Sequence, residues 1–261
     1  MKQSTALITG ASGGIGLELA RIHASQGDDL ALVARSEEKL NRVQQELEQE
    51  YDVSVQLFVM DLTRTGAPEE IYTALKSDGV VVDYLINNAG IGDYGLFHKS
   101  SWVAQQTMIE LNIQALTRMT HLFAGDMAAR GSGRIMNVAS TASFQPGPLM
   151  SVYYASKHYV LAFSEAIAQE LDEFGVSVTA LCPGPTESGF QARAGMENSR
   201  LVSSVPLPSS RSVAEYGYRA MMKGKRVAVH GLANRMASKL VRLVPRSWAT
   251  YAVRKIQESR E

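Results

Sequence analysis

The chain has 261 residues, 45% of them apolar and 20% charged, which is an ordinary globular composition. Lys plus Arg and Asp plus Glu both number 26, so no overall charge points to nucleic acid, and none is expected as a partner. The one cysteine, Cys182, excludes an internal disulfide and a thiolate metal cluster, and no metal is expected.

In chain order, short apolar runs alternate with longer segments of helical period. The first strand-like run, Ser4 to Thr9, with a strand predicted at Thr5–Thr9, begins so near Met1 that no signal peptide is expected. No window is long and apolar enough to span a bilayer, so a cytoplasmic enzyme is expected. Further strands are predicted at Leu30–Ala34, Val53–Met60, Tyr84–Asn87, Arg134–Ala139, Ser177–Leu181 and Val227–His230. Several are apolar nearly throughout, as in a parallel sheet covered on both faces. Helices are predicted at about Ile15–Gln26, Glu37–Gln49, Pro68–Ser77, Trp102–Arg130, Tyr153–Phe174 and Val213–Lys223. The alternation predicts one α/β domain over 1–261: a Rossmann-like, doubly wound parallel sheet of about seven strands with ligands beyond the strands' carboxyl ends.

Thr9-Gly10-Ala11-Ser12-Gly13-Gly14-Ile15-Gly16 follows the first strand and opens the first helix. Glycines allow close backbone approach, and a helix N-terminus offers unpaired N–H groups to a diphosphate. A tight strand-to-helix turn is the plainer alternative, but the position favours phosphate. The second strand ends at Ala34-Arg35, where an NAD site usually places a carboxylate. Arg35 suits a 2′-phosphate instead and points to NADP(H), although it could equally be a solvated strand end. Asp61 and Asn87-Asn88-Ala89-Gly90 end the third and fourth strands. Asp61 is a candidate acceptor for an adenine amino group; each could also be a cap or turn former.

Tyr153 and Lys157 are four apart on a helical pattern, so they share a face. An adjacent ammonium would lower the phenol from its usual value near 10 and fit it for acid/base work. A packed aromatic beside a solvated lysine is the bland alternative, and Tyr154 with His158 is a rival register. Ser140 closes the fifth strand and could hold a carbonyl oxygen. Asn112, inside a long helix, could hold a water against Lys157; the bland alternative for each is a satisfied polar group.

Together these residues, with Asp61-Leu62, Tyr153-Tyr154-Ala155-Ser156-Lys157 and Cys182-Pro183-Gly184, resemble the short-chain dehydrogenase/reductase family over nearly the whole chain. The resemblance implies an Asn112/Ser140/Tyr153/Lys157 tetrad acting on a small-molecule carbonyl or alcohol. It also implies a cofactor cleft made by Gly10, Ser12, Gly13, Gly14, Ile15, Gly16, Arg35, Asp61, Leu62, Asn88, Ala89, Gly90, Tyr153, Lys157, Pro183, Gly184, Thr186 and Ser188. A homodimer or homotetramer built on the long helices near Trp102 and Tyr153 is implied as well. The sequence departs from the family where Thr186 and Ser188 replace its usual Val/Ile and Thr, and where Gly13 stands at a position that is basic in some NADP-preferring members. Two other readings stay open: an NAD-dependent alcohol dehydrogenase, and a non-catalytic cofactor-binding regulatory protein.

Residues 183–212 form a long segment with Phe190, Met196, Leu201, Val202 and Leu207, read as a substrate lid. With Phe144, Leu149 and Met150 it suggests an apolar pocket wall and a lipophilic substrate, core packing being the alternative. The last part, about 232–261, is basic: from Lys223 onward ten Lys/Arg face two Glu. Leu232, Met236, Leu240, Leu243 and Val244 form an apolar helical stripe beside Arg235, Lys239, Arg242 and Arg246. The expectation is that this stripe packs on its own subunit or a neighbour, with weak contact to an anionic membrane surface as the alternative.

Overall fold

The structure is a computed structural model that describes residues 3–196 and 207–258. Seven strands, β1 (Thr5–Thr9), β2 (Asp29–Ala34), β3 (Val55–Val59), β4 (Val82–Asn87), β5 (Gly133–Val138), β6 (Val176–Cys182) and β7 (Val227–Val229), form one parallel sheet. Their spatial order is β3-β2-β1-β4-β5-β6-β7. The order reverses between β1 and β4, and a doubly wound sheet opens its ligand crevice at such a point.

The strands' composition explains their place. All five residues of β1 are buried, and β2 and β6 are buried almost throughout. Side chains on both faces of the sheet therefore need cover, and the helices supply it. Helix α1 (Gly14–Ser25) turns Leu19, Ala20 and Ile22 inward. Helix α2 (Glu37–Glu50) buries Leu40, Val43 and Leu47, while α3 (Ala67–Ser77) buries Ile71 and Leu75. Helix α3 starts where sequence grammar places it, with a left-handed Gly66 before it and a proline in its first turn.

The helix predicted over Trp102–Arg130 is continuous but not uniform. Helix α4 (Trp102–Ile109) passes into a wider π turn at Glu110–Ala115 and then into α5 (Leu116–Arg130), which ends at a left-handed Gly131. The wide turn carries Asn112, and such insertions gather at functional sites. Helix α6 (Ser151–Glu170) starts two residues before the expected Tyr153 and gives way to a short 3₁₀ turn at Asp172–Phe174. A short α7 (Phe190–Arg193) lies in the segment read as a lid, and α8 (Ser210–Met222) follows the undescribed stretch. Leu201 and Val202 fall outside the described residues.

The C-terminal part narrows one expectation, that the apolar stripe packs on its own subunit or a neighbour. Helices α9 (Leu232–Leu240) and α10 (Arg246–Gln257) do form, yet Leu232, Met236, Leu240, Leu243 and Val244 are all exposed on this subunit. The inward face of α9 is Asn234 and Ser238 instead, and Asn234 Nδ2 donates to the His230 carbonyl at 2.9 Å. No helix among the described residues is long and apolar enough to cross a membrane.

Candidate active site

The carboxyl ends of β1 and β4 are tied together by two side chains. The Thr9 hydroxyl accepts from the backbone N–H of both Asn88 and Ala89 at 3.0 Å. The Asn88 amide donates back to the Thr9 carbonyl at 2.9 Å and the Gly10 carbonyl at 3.3 Å. This clasp holds the glycine loop against the turn that follows β4. It also explains Gly16: a Cβ there would lie 2.4 Å from both Asn88 Nδ2 and the Gly10 carbonyl oxygen. Gly14 has φ +58° and packs on Ser188, so a side chain there would be strained and crowded.

Of the residues implied by sequence, all but Gly16 and Asn112 line one cleft of about 270 Å³ along the sheet's carboxyl edge. Gly16 stands behind the loop. Asn112 is fully buried beside the cleft, where Asn112 Oδ1 accepts from the Ile91 N–H (3.0 Å) and Nδ2 donates to the Ile91 carbonyl (2.9 Å) and to Ser156 Oγ (3.1 Å). Its amide therefore holds the chain after β4. A Cβ at Gly90 would meet Asn112 Oδ1 at 3.2 Å and Lys157 Nζ at 3.4 Å, so these two groups converge at that glycine.

Helix α6 brings Tyr153 and Lys157 into the cleft. Lys157 Nζ donates to the Val138 carbonyl at 2.8 Å and lies 5.9 Å from the centre of the Tyr153 ring. Ser143 Oγ donates to the Lys157 carbonyl at 2.6 Å, and Ser156 Oγ donates to the Tyr153 carbonyl at 2.7 Å. The expectation of a lowered phenol is not met. Burial pushes Tyr153 up to about 12, against the opposing Ser140 hydroxyl, and burial pulls Lys157 down to about 8. Loss of hydration outweighs the Ser140 bond, while the Lys157 ammonium is turned to the Val138 carbonyl. A phenol held protonated in this way is suited to donate.

The rival register is engaged elsewhere. Tyr154 is buried against the C-terminal helix, where its Oη accepts from Gln257 Nε2 at 2.6 Å, and burial raises its pKa strongly. His158 Nδ1 lies against the Tyr154 carbonyl at 2.8 Å, so it does not partner the phenol.

Ser140 caps the turn after β5, its Oγ accepting from the Ala142 N–H at 3.1 Å. Thr186 Oγ1 is engaged with the Gly184 carbonyl at 2.9 Å, and Thr186 is buried. Ser188 lies against Gly14 at the loop that opens α1. At the far end of the cleft Arg35 Nη1 is 3.8 Å from Asp61 Oδ2, both side chains being substantially exposed. Partial burial pushes Asp61 up, but bonds from the Thr63 N–H and hydroxyl, with Arg35, outweigh it and leave the carboxyl below its usual value.

The pocket wall near Tyr153 is apolar. Phe190 of α7 stands 5.2 Å from the Tyr153 ring, with Met150 and Met196 in the same cluster. Of the three apolar residues after Ser140, only Met150 joins it. Phe144 packs on the core around Ala139, Val160 and Cys182, and Leu149 adopts a left-handed φ of 71° with its carbonyl accepting from Gly95 N–H. Sequence reasoning missed Thr9 as a tie, Ser143 and Ser156 as supports of α6, and Gln257 as the partner of Tyr154. Only Thr9 carried a signal, its place directly before the glycine loop.

A short chain dehydrogenase family model matches residues 4–198. Nodulation protein G of Rhizobium sp. (strain N33) is 31% identical over 236 residues, covering 87% of this chain and 95% of that protein. Among solved structures, a short-chain dehydrogenase from Sphingobium yanoikuyae in complex with NADPH superposes with a TM-score of 0.83 at 32% identity, covering 92% and 94% of the two chains. The bulky-bulky ketone specific alcohol dehydrogenase from Comamonas testosteroni gives 0.79 at 28% identity, with 93% of each chain covered. The chain belongs to the short-chain dehydrogenase family and is an oxidoreductase of alcohol and carbonyl groups.

Thr9→Val keeps the shape of the tie residue but removes the oxygen that accepts from Asn88 and Ala89. It is expected to lower unfolding free energy by about 1–3 kcal/mol, measured by urea denaturation.

Proposed function

We propose that the protein is an NADP(H)-dependent oxidoreductase interconverting a lipophilic ketone or aldehyde and its alcohol, with Tyr153 as the acid/base. The observation that carries this reading is the convergence of Ser140, Tyr153 and Lys157 in the cleft that begins at the glycine loop. A non-catalytic cofactor-binding module would not require that arrangement.

The cleft suits a dinucleotide. The first turn of α1 carries no acidic side chain and no side-chain cap, so its N–H groups and positive dipole end are available to a diphosphate beside Gly13 and Ser12. Ile15, Leu62, Ala89 and Gly90 would flank it, while Pro183, Gly184, Thr186 and Ser188 would form the opposite rim, Ser188 supplying a hydroxyl. Arg35 would take a 2′-phosphate through its paired N–H donors. Its nearness to Asp61 leaves that guanidinium positioned but not buried. The NADPH in the Sphingobium yanoikuyae relative supports the same choice over NAD.

When bound, NADP(H) supplies or accepts the hydride. In reduction the Ser140 hydroxyl donates to the substrate carbonyl oxygen and polarises it. Tyr153 gives its proton to that oxygen as charge develops there. Lys157, held at Val138 and close to the Tyr153 ring, offsets the resulting phenolate by its positive charge. Asn112 and Ser156 position this pair by fixing the Ile91 segment and α6. In oxidation the same groups act in reverse. Phe190, Met150 and Met196 exclude water and favour an apolar substrate, in keeping with the bulky ketones of the Comamonas testosteroni relative. We further propose that copies assemble as dimers or tetramers through α4 and α6, where Trp102, Val103 and Tyr159 are exposed.

Consumption of NADPH, followed by absorbance with a panel of lipophilic ketones and aldehydes, tests the assignment. Tyr153→Phe is expected to lower kcat by about 10²–10⁴-fold while NADPH still binds; a variant as active as the wild type would remove Tyr153 from the mechanism. Arg35→Asp is expected to shift the NADPH/NADH ratio of kcat/KM toward NADH by roughly ten- to a hundredfold. An unchanged ratio would show that other groups select the cofactor.

A further inference from the structure

The exposed stripe on α9 has a defined chemistry. Leu232 (75% exposed), Met236 (55%) and Leu240 (54%) lie four residues apart on the side of the helix opposite the buried Ser238, and Leu243 (83%) follows in the 3₁₀ turn Val241–Leu243. Trp248 (69%) and Tyr251 (66%) stand exposed on α10 immediately afterwards. Isolated apolar side chains on a surface are ordinary, whereas a run of this kind marks a contact face.

Charge narrows what the contact can be. Residues 232–257 include six Lys/Arg and no Asp or Glu, in a chain whose formal net charge is zero. Arg235, Lys239 and Arg242 flank the stripe at helical spacing, and among the described residues none of them pairs with a carboxylate. A second copy of this chain meeting the stripe face to face would bring these cations together without an acidic partner. An anionic bilayer surface answers both features: its acyl boundary takes the leucines and its headgroups take the cations. Trp and Tyr are the side chains that favour that depth.

We infer that α9 and α10 form a monotopic docking surface for an anionic lipid bilayer. The surface adjoins the cleft. Asn234 on the inner side of α9 abuts Gly184, where a Cβ would lie 2.6 Å from Asn234 Nδ2. At the end of α10, Gln257 donates to Tyr154 Oη, and its carbonyl accepts from Tyr94 Oη at 2.5 Å. The docked face thus backs the wall of the pocket that holds Tyr153. The inference concerns binding and stands whether or not the proposed reaction does.

Flotation of the full-length protein with vesicles of phosphatidylcholine, with and without phosphatidylglycerol, tests it. The wild type is expected to float with the phosphatidylglycerol vesicles only, and added salt is expected to weaken this. The double variant Leu240→Glu, Leu243→Glu changes two exposed side chains, so its melting temperature should match the wild type. Its partition is expected to fall by at least about tenfold. Wild type that stays in the soluble fraction, or a double variant that still floats, overturns the inference. So does a wild-type oligomer, seen by light scattering, that the double variant converts to a smaller species, because the stripe would then be covered by a second copy.

Discussion

The clasp between Thr9 and Asn88 is the constraint on which the site depends. A parallel sheet whose strand order reverses leaves a crevice between β1 and β4, but the crevice alone has no fixed shape. One hydroxyl accepting two backbone N–H groups, and one amide donating to two carbonyls, fix the glycine loop against the turn after β4. The crowding at Gly16 follows from that closeness, and so does the direction in which the first turn of α1 points.

A second polar system, deeper in the molecule, sets the reacting groups. Asn87 Nδ2 donates to Thr120 Oγ1 and to Asn137 Oδ1 at 2.9 Å, and Asn137 Nδ2 donates to Ser164 Oγ at 3.0 Å. These bonds cross from β4 to α5, to β5 and on to α6. Unmade bonds would be costly there, so the network favours one placement of α6 over its neighbours. Lys157 reaches the Val138 carbonyl from that helix, and Asn112 meets Ser156 from the wide turn between α4 and α5. The chemistry of the cleft thus rests on helices positioned by buried amides and hydroxyls more than by apolar packing alone.

Much of this was readable in the residues because the relevant signals are local. Apolar runs such as Thr5–Thr9 mark buried strands, and a glycine loop between strand and helix has a steric meaning that needs no tertiary information. The spacing of Tyr153 and Lys157 likewise fixes a shared face. What escaped depends on distant partners. Gln257 meets Tyr154 from 103 positions away, and Phe144 turns into the core where its neighbour Met150 turns to the pocket. The raised phenol of Tyr153 also follows from desolvation, which spacing does not encode. The amphipathic stripe on α9 is legible in the sequence, but helical periodicity does not say which face meets the protein. Here Asn234 and Ser238 do.

The central claim is that Tyr153 protonates a carbonyl oxygen beside a bound NADP(H) that reduces the carbonyl carbon. Its most direct measurement is the fate of label from NADPH deuterated at the transferable C4 position, followed by mass spectrometry of the product formed from a lipophilic ketone. One deuterium is expected at the carbinol carbon with the wild type, and labelled alcohol formed about 10²–10⁴-fold more slowly with Tyr153→Phe. Unlabelled alcohol from the wild type, or labelled alcohol at an undiminished rate from the variant, would contradict it.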